Sequence, residues 1–528
     1  MKKISFLLLC LLLMGGYVSS AGGFSFTSTP AFMAASAPDR ALVIISDLHL
    51  GAGKNSGQSW YTTEDFRWPK ALKAFLDEMS RRGNDRVDLI IAGDLLDMWQ
   101  PPENIRCKGD SSDPNLGCTV EEMTAIASWI VKAHKEEFEH LRLFSQKGEN
   151  RLHILPGNHD AALLIAPVWE PVGKALKAEK GRVNFVVTGV WRSVDYGIVV
   201  EHGHQIGNDA NRYKRWPDIV RVDGNKEYIE RSWGEQFIQQ VFTQHEYDNQ
   251  IIDNFSPESL GAWYWKDKRG LWGTAADMAK LVAFNLSQTS FSQKVQFLGD
   301  KKSPEEKPKW NIPEARKLGH GLFVAAMPQD DAGRARLLEE TEEAKEVRQE
   351  LDRLALDTEK LPDGTVEMKL PDENVQMLCD QAATRGNSVC DRPHLGYAIE
   401  KLLVPKERVL VSHLIKRQGE FPKMHYFVYG HTHDLAIRWK PEGISYVQAM
   451  NSGAFYRVIG ENGFLSRVRQ KGISPGQGLE KISLDELPPC YTFVKKIPPE
   501  KEPQVFRWVM KESDANGQIV NPEDAICE

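Results

Sequence analysis

The sequence predicts an α/β fold, and three observations carry that reading. Short apolar runs rich in β-branched residues break off at Asp, Asn or His, helix-periodic stretches separate the early runs, and 528 residues allow a core of about 200 to 250 residues with large additions. Hydrophobic residues make up 41 % and charged residues 26 % of the chain, the balance of a protein that folds in water rather than a disordered or multi-spanning one.

The chain opens with Lys2 and Lys3, the apolar run from Phe6 to Met14 and the small-residue stretch Val18-Ser19-Ser20-Ala21. This is the layout of a secretory signal peptide, so residues 1–21 are expected to be a leader cleaved near Ala21. The apolar run is short of the roughly 20 residues that a membrane-spanning helix needs. No span is expected after cleavage, and the mature protein is expected in the periplasm or outside the cell. A lipoprotein built on Cys10 fits less well, because the apolar run continues past it. The formal charge is -7, or -9 once Lys2 and Lys3 are gone, which leaves no basic surplus to recruit nucleic acid. Beyond Cys10 there remain Cys107, Cys118, Cys379, Cys390, Cys490 and Cys527, an even set in a chain read as exported, so disulfides are expected. Short loops favour Cys107 with Cys118 and Cys379 with Cys390, leaving Cys490 for Cys527. No CxxC spacing occurs, which argues against a zinc–thiolate site.

In chain order the strand-like runs are Ala41 to Asp47, Val87 to Asp94, Leu152 to Asn158, Ile198 to His202, Tyr426 to His431 and Ile444 to Gln448. Their continuous apolar character predicts strands buried on both faces. Trp68 to Arg82 and Val120 to Phe144 carry apolar residues at helical spacing. Residues 40–204 thus form the first part of a core and 425–460 its second part. The 205–424 interval is far too long for a loop and is expected to be an inserted, mainly helical subdomain. It carries Trp216, Trp233, Trp263, Trp265, Trp272 and Trp310, more simply its own core than a base- or lipid-stacking face, and a charged stretch over 339–351 that is simplest as a solvated helix. Residues 461–528 are Pro-rich and expected to be an extended or small β appendage.

The chemistry gathers where the runs end: Asp47-Leu-His49, Gly93-Asp94-Leu-Leu-Asp97, Gly157-Asn158-His159-Asp160, Glu201-His202-Gly-His204 and Gly430-His431-Thr-His433. Six of the fourteen histidines sit in these five stretches. Each stretch alone has a bland explanation, a helix cap or a turn, but their joint occurrence behind buried strands does not. An unpaired carboxylate is expensive to bury, and a cation removes that cost. Residues i and i+2 of an extended segment share a side, so Asp47 with His49, and His431 with His433, can each offer two donors to one point. Mixed carboxylate and imidazole donors suit Mn, Fe, Zn or Co better than Ca or Mg.

Taken in this order, the five motifs resemble those of the calcineurin-like metallophosphoesterases, D-x-H, G-D-x-x-D, G-N-H-D/E, a His-containing fourth block and G-H-x-H. The resemblance covers roughly residues 41–204 and 425–457. It implies a two-sheet sandwich flanked by helices and two divalent transition metals, Mn, Fe or Zn. One metal would be held by Asp47, His49, Asp94 and His433 and the other by Asp94, Asn158, His202 and His431, with Asp94 bridging. His159 matches the family's non-ligand histidine, which assists the leaving group or the phosphate, and Asp97 the carboxylate that orients it. Asn451-Ser-Gly resembles the final strand-to-turn segment. The implied activity is hydrolysis of a phosphomonoester, phosphodiester or pyrophosphate by a metal-bridging hydroxide. A nuclease or nucleotide phosphodiesterase of the same superfamily, and a non-catalytic metal-containing binding module, are the alternatives.

Departures narrow the likeness. Met98 and Asp160 stand where protein Ser/Thr phosphatases carry Arg and Glu, and Asp97 stands where purple acid phosphatases carry Tyr. His202-Gly-His204 followed by Gly-Asn-Asp-Ala-Asn-Arg-Tyr is more similar to the UDP-diacylglucosamine hydrolase branch, in which an insertion lids a lipid substrate, although those enzymes are cytoplasmic. A phosphate-ester substrate is expected, with a lipid or membrane surface left open and no obligatory nucleic acid. His204 is expected at the rim of the site, and Arg212, Lys214 and Arg215 follow it closely enough to meet a substrate phosphate.

Overall fold

The computed structural model describes residues 40–102, 105, 107, 111, 113, 115–206, 211–256, 261, 264–265, 357–360, 366–369, 406–433, 435–439 and 447–527. The chain begins with β1 (Ala41–Ile45), α1 (Pro69–Arg82), β2 (Val87–Ala92), β3 (Leu116–Thr119), α2 (Val120–Ala133), α3 (Lys135–Gln146), β4 (Arg151–Leu155), α4 (Ala166–Ala175) and β5 (Val183–Phe185). It continues through β6 (Val190–Ser193), β7 (Ile198–Glu201), β8 (Val220–Asp223), β9 (Lys226–Glu230), α5 (Trp233–Phe237), a π-helical stretch over Ile238–Phe242, and α6 (Thr243–Asp248). After the short pair β10 (Asp357–Lys360) and β11 (Val366–Lys369) come α7 (Lys406–Glu420), β12 (Tyr426–Tyr429), β13 (Leu435–Trp439) and β14 (Gln448–Ser452). The last elements are α8 (Glu461–Lys471), α9 (Pro475–Lys481), β15 (Cys490–Lys496), β16 (Gln504–Val509) and β17 (Gln518–Val520).

Two sheets face each other. One has the order β17-β16-β15-β1-β2-β4-β5, the other β13-β14-β12-β7-β6. Strand alternation assigns the side chains to layers. Leu42 and Ile44 of β1 point between the sheets with Ile90, Ile198, Val200, Val428 and Met450, whereas Ala41, Val43 and Ile45 point at α1 residues Leu72, Phe75 and Met79. On the far side, Val199, Phe427 and Ala449 pack under Leu410 and Leu414 of α7. Both faces of β1, β2, β7 and β12 are therefore dry, which is why those runs read as continuously apolar. β1, β2 and β4 are mutually parallel, as are β7 and β12, so their carboxyl ends collect at the sandwich edges where ligands are bound in α/β folds.

Local chemistry explains the helix positions. A Pro begins α1 and Arg81 and Arg82 close it, matching the helix dipole. Thr119 caps α2 through a capping box with Glu122. The single helix expected over Val120 to Phe144 is two, broken at His134, whose buried ring lies between Glu64, with Nε2 3.1 Å from its carboxylate, and Glu137, with Nδ1 3.2 Å away. No Gly or Pro announces that break. Glu64 in turn accepts from the backbone N–H groups of Gly53 (2.6 Å) and Phe66 (3.1 Å), so the cluster fixes the loop that follows His49.

Two boundary expectations are corrected. The segment after residue 204 does not start a separate helical subdomain: β8 and β9 form a sheet with β3, and Tyr213, Ile219, Ile229, Ile251 and Phe255 belong to the main core. Nor do residues 461–528 hang from the core as an appendage. β15 pairs antiparallel with β1, extending the first sheet, and α8 and α9 bury Phe464, Val468 and Leu479 in the same core. The sixth apolar run also shifts, its strand β14 starting only at Gln448. Cys107 is disulfide-bonded to Cys118, with Cα atoms 4.8 Å apart, and Cys490 to Cys527, with Cα atoms 5.8 Å apart. The leader, the charged stretch at 339–351 and the pair Cys379 with Cys390 lie outside the described residues. No helix among the described residues is long and apolar enough to cross a membrane.

The His134 cluster gives a stability test. Burial disfavours the imidazolium, but Glu64 and Glu137 outweigh it and raise the pKa to about 10. A folded-state pKa above the unfolded value of about 6.5 stabilises fully below pH ~6.5 and is lost as pH rises through 10. His134→Leu should cost about 3–5 kcal/mol at pH 6 by chemical denaturation, and the gap to wild type should narrow towards pH 10. A gap independent of pH would show that the charge on His134 contributes nothing.

Candidate metal centre

Five strand ends deliver the site. Asp47 and His49 follow β1, Asp94 and Asp97 follow β2, Asn158 and His159 follow β4, His202 follows β7, and His431 and His433 follow β12. The ends are stitched across strands and sheets. The Asp47 N–H donates to the Gly93 carbonyl (3.1 Å), and the N–H groups of Leu48 and His49 donate to the Asp94 carbonyl (2.9 and 3.0 Å). Gly430 N–H donates to His202 O (2.9 Å), and His431 N–H donates to the Asp47 carboxylate (3.1 Å to Oδ2). Two motif glycines are required by contact. A Cβ on Gly430 would sit 2.5 Å from Ser46 Oγ and 2.6 Å from Asp47 Oδ2, and one on Gly93, at φ +94°, would collide with the His202 ring.

The backbone is strained where it presents the donors. Asp47, His49, Asp94, His431 and His433 have φ of 54°, 50°, 50°, 71° and 53°, the left-handed region that side chains avoid. Strain of roughly 1–3 kcal/mol per residue persists only where surroundings over-determine it, and such strain gathers at functional sites. The i, i+2 sharing expected from an extended chain is thus not how the two D-x-H and H-x-H pairs converge. Successive tight turns do it.

Asp47, His49 and His433 place one donor atom each within 4.8 Å of one another, and so do Asp94, His202 and His431. Asp94 links the two groups. Its Oδ2 lies 3.8 Å from His49 Nε2 and 3.0 Å from His202 Nε2, while Oδ1 accepts the His159 N–H (2.9 Å). Asn158 Oδ1 is 2.9 Å from His202 Nε2. A third overlapping group is His49, Asp94 and His159.

Residue chemistry fits transition cations here. His49 is buried, and burial followed by repulsion from His159 pushes its pKa down to about 3, leaving a neutral ring whose Nε2 has no hydrogen-bond partner. A buried lone pair without a donor is what a metal ligand looks like before its ion is considered. His202 Nδ1 lies 2.9 Å from the Ala92 carbonyl, which turns Nε2 to Asp94 and Asn158. Burial opposes charge on that ring, yet Asp94 and Asp47 raise its pKa to about 9. The point between Nε2 and the two oxygens therefore demands positive charge, whether proton or metal. Burial likewise opposes ionisation of Asp94, and the pull of His202 and His159 overrides it, holding the carboxyl well below its usual range.

His159 is the most open of the polar residues on the β4 turn, and its Nδ1 is 2.9 Å from Asp97 Oδ1. Burial lowers its pKa, but Asp94 and the Asp97 hydrogen bond more than compensate. His204, expected at the rim, is instead buried, its ring 4.5 Å edge-on from Trp216 and 5.4 Å from His202. Arg212 is half-buried and Arg215 and Lys214 are exposed, on the stretch leading into β8.

Several supporting residues carry no signal in the motifs. The Tyr456 hydroxyl lies 2.9 Å from His433 Nδ1, and Tyr213 donates to the Asn158 carbonyl (3.0 Å). Asn451 Nδ2 donates to Gly430 O (2.9 Å) and Thr432 Oγ1 (3.0 Å), holding the last histidine turn. Asp160, visible in the sequence only as a family discriminator, accepts from the N–H groups of Gly157, Leu95 and Leu96 and ties the β2 turn to the β4 turn. Trp99 stacks on His159. Only tertiary contact identifies most of these.

Partners that orient metal ligands are worth about 10–100-fold in affinity. Tyr456→Phe should weaken binding of one Mn equivalent by that factor in calorimetric titration while the second equivalent is unaffected. Equal weakening of both, or of neither, would contradict the assignment of His433 to one donor group.

Neither the curated proteins nor the solved structures give a match to this chain. A family comparison does: residues 41–271 match the calcineurin-like phosphoesterase model, beyond the 204 boundary expected from the motifs and short of the final Gly430-His431-Thr-His433 turn. That match and the clustered His and Asp donors support the calcineurin-like phosphoesterase superfamily, whose general chemistry is metal-dependent hydrolysis of phosphate esters.

Proposed function

We propose that the chain is an exported hydrolase with two divalent transition metals that cleaves a phosphomonoester, phosphodiester or pyrophosphate bond. The observation that carries this is the pair of donor groups, Asp47/His49/His433 and Asp94/His202/His431, joined through one oxygen of Asp94. Asp47, His49, Asp94 and His433 would hold one cation, and Asp94, Asn158, His202 and His431 the other. When bound, the cations supply Lewis acidity towards the phosphate and lower the pKa of water.

The protein's own groups do the rest. Asp94 keeps the two halves in register and carries the negative charge that balances them. His159 is fixed by Asp97 at Nδ1, which leaves Nε2 as the atom that gives a proton to the departing oxygen or donates to a phosphoryl oxygen. The buried flanks exclude water from everything except the His159, His431 and His433 side. Export is supported by the leader-like N-terminus and by the two disulfides, which persist in oxidising compartments.

Mn-reconstituted protein should hydrolyse p-nitrophenyl phosphate or its bis ester, and chelation should abolish the activity. His159→Ala should lower kcat by about 10²–10⁴-fold with metal content unchanged. Asp94→Asn should lower both metal content and rate. Full activity in Asp94→Asn would falsify the bridging role, and inert wild-type protein with both metals bound would overturn the hydrolase reading.

A further inference from the structure

Directly behind the second motif, Trp99 lies against the ring of His159. The ring centroids are 3.9 Å apart and the planes 23° from parallel, a face-to-face stack rather than the edge contact that His49 makes at 4.5 Å and 77°. Trp99 is itself buried, and its N–H donates to Asp97 Oδ1 (3.0 Å), the same oxygen that His159 Nδ1 meets at 2.9 Å. One residue therefore touches both members of the Asp97–His159 pair, the carboxylate through its backbone and the imidazole through its indole face. Stacking against one face opposes tilting and rotation of the imidazole, adding to the restraint that the hydrogen bond at Nδ1 supplies from its edge.

Trp99 is held in turn by the segment that follows the fourth motif. Gln239 Nε2, on the π-helical turn after α5, donates to the Trp99 carbonyl (3.2 Å) and to Glu235 Oε1 (3.2 Å). Next in the chain, Gln100 Nε2 donates to Thr243 Oγ1 (3.2 Å) and to the Glu246 carboxylate. A π-helical turn is uncommon and recurs at functional sites. Here it sets the register at which Gln239 and Thr243 both reach the Trp99-Gln100 backbone and side chain.

From this chain of contacts the structure assigns Trp99 as a positioning residue that aims His159 Nε2 at the leaving oxygen, with Gln239 of the 205–424 segment holding Trp99 in place. The inference rests on the hydrolase reading given above. It adds that the inserted segment tunes departure of the alcohol rather than binding of the phosphate.

The test compares Mn-loaded wild type, Trp99→Phe and Trp99→Leu on p-nitrophenyl phosphate, a good leaving group, and phenyl phosphate, a poor one. The ratio of the two kcat values does not depend on how much of a variant is folded. Trp99→Leu should lower kcat on phenyl phosphate about tenfold more than on p-nitrophenyl phosphate with KM unchanged, Trp99→Phe should recover most of the difference, and Gln239→Ala should show a smaller change of the same sign. In histidine-labelled protein without metal, the His159 ring protons should carry an upfield ring-current shift that Trp99→Leu removes. Equal losses on both substrates, or an unshifted His159 resonance in wild type, would overturn the assignment while leaving the hydrolase reading intact. Metal-loaded wild-type protein inactive on these monoesters and also on bis-p-nitrophenyl phosphate and pyrophosphate would overturn both.

Discussion

One carboxylate oxygen organises this molecule. Asp94 Oδ2 lies between an imidazole from the first sheet's edge and one from the second's, His49 and His202, in surroundings with almost no solvent. A charge in such a place is tolerable only with opposite charge beside it, which protonated His202 or a cation supplies. The facing sheets, the parallel strands and the glycines that let backbone approach side chain all serve that convergence. Removing any one of the five strand ends would leave the others as buried, mutually repelling or unpaired groups.

The strain at the ligands follows from the same requirement. Parallel strands ending together point their chains outwards, away from a shared centre. Turning five candidate donor residues back within one step needs left-handed backbone, and the cross-strand bonds from Leu48 and His49 to the Asp94 carbonyl hold it there. Further out, the Glu64–His134–Glu137 cluster and the Glu201 clamp to α7, with Arg417 Nη2 2.7 Å from Glu201 Oε2, keep the first and fourth motifs from relaxing. The site is thus braced by ionic, largely buried supports, and its most open members are His159, His431 and His433.

The sequence made the donor set legible because buried parallel strands leave a strong signature and their polar endings stand out against it. The first five strand-like runs, and both disulfides within the described residues, fall where the residues pointed. Trp99 and Tyr456 were not legible as partners, since an aromatic after a strand is ordinary in sequence and becomes specific only through contact, and Asn451 stood out only by resemblance, without its bonds to Gly430 and Thr432. His204, placed at the rim by its likeness to one branch of the superfamily, is buried instead, its ring against Trp216, a contact that the sequence does not announce. The C-terminal segment was legible as extended or small β structure, but its place in the core was not: proline marked the turns, and nothing local shows that the strand Cys490–Lys496 pairs with the first strand.

That strand has a consequence for biogenesis. Lys496, Lys495 and Val494 pair with Leu42, Val43 and Ile44, so the first strand of the core borrows one hydrogen-bonding edge from almost the last. While the polypeptide is still emerging, the segment bearing Asp47 keeps an open flank until residue 496 has appeared. The first strand, and with it the turn that carries Asp47, is therefore completed only by pairing with a segment made almost at the end of synthesis, a contact of very long sequence separation.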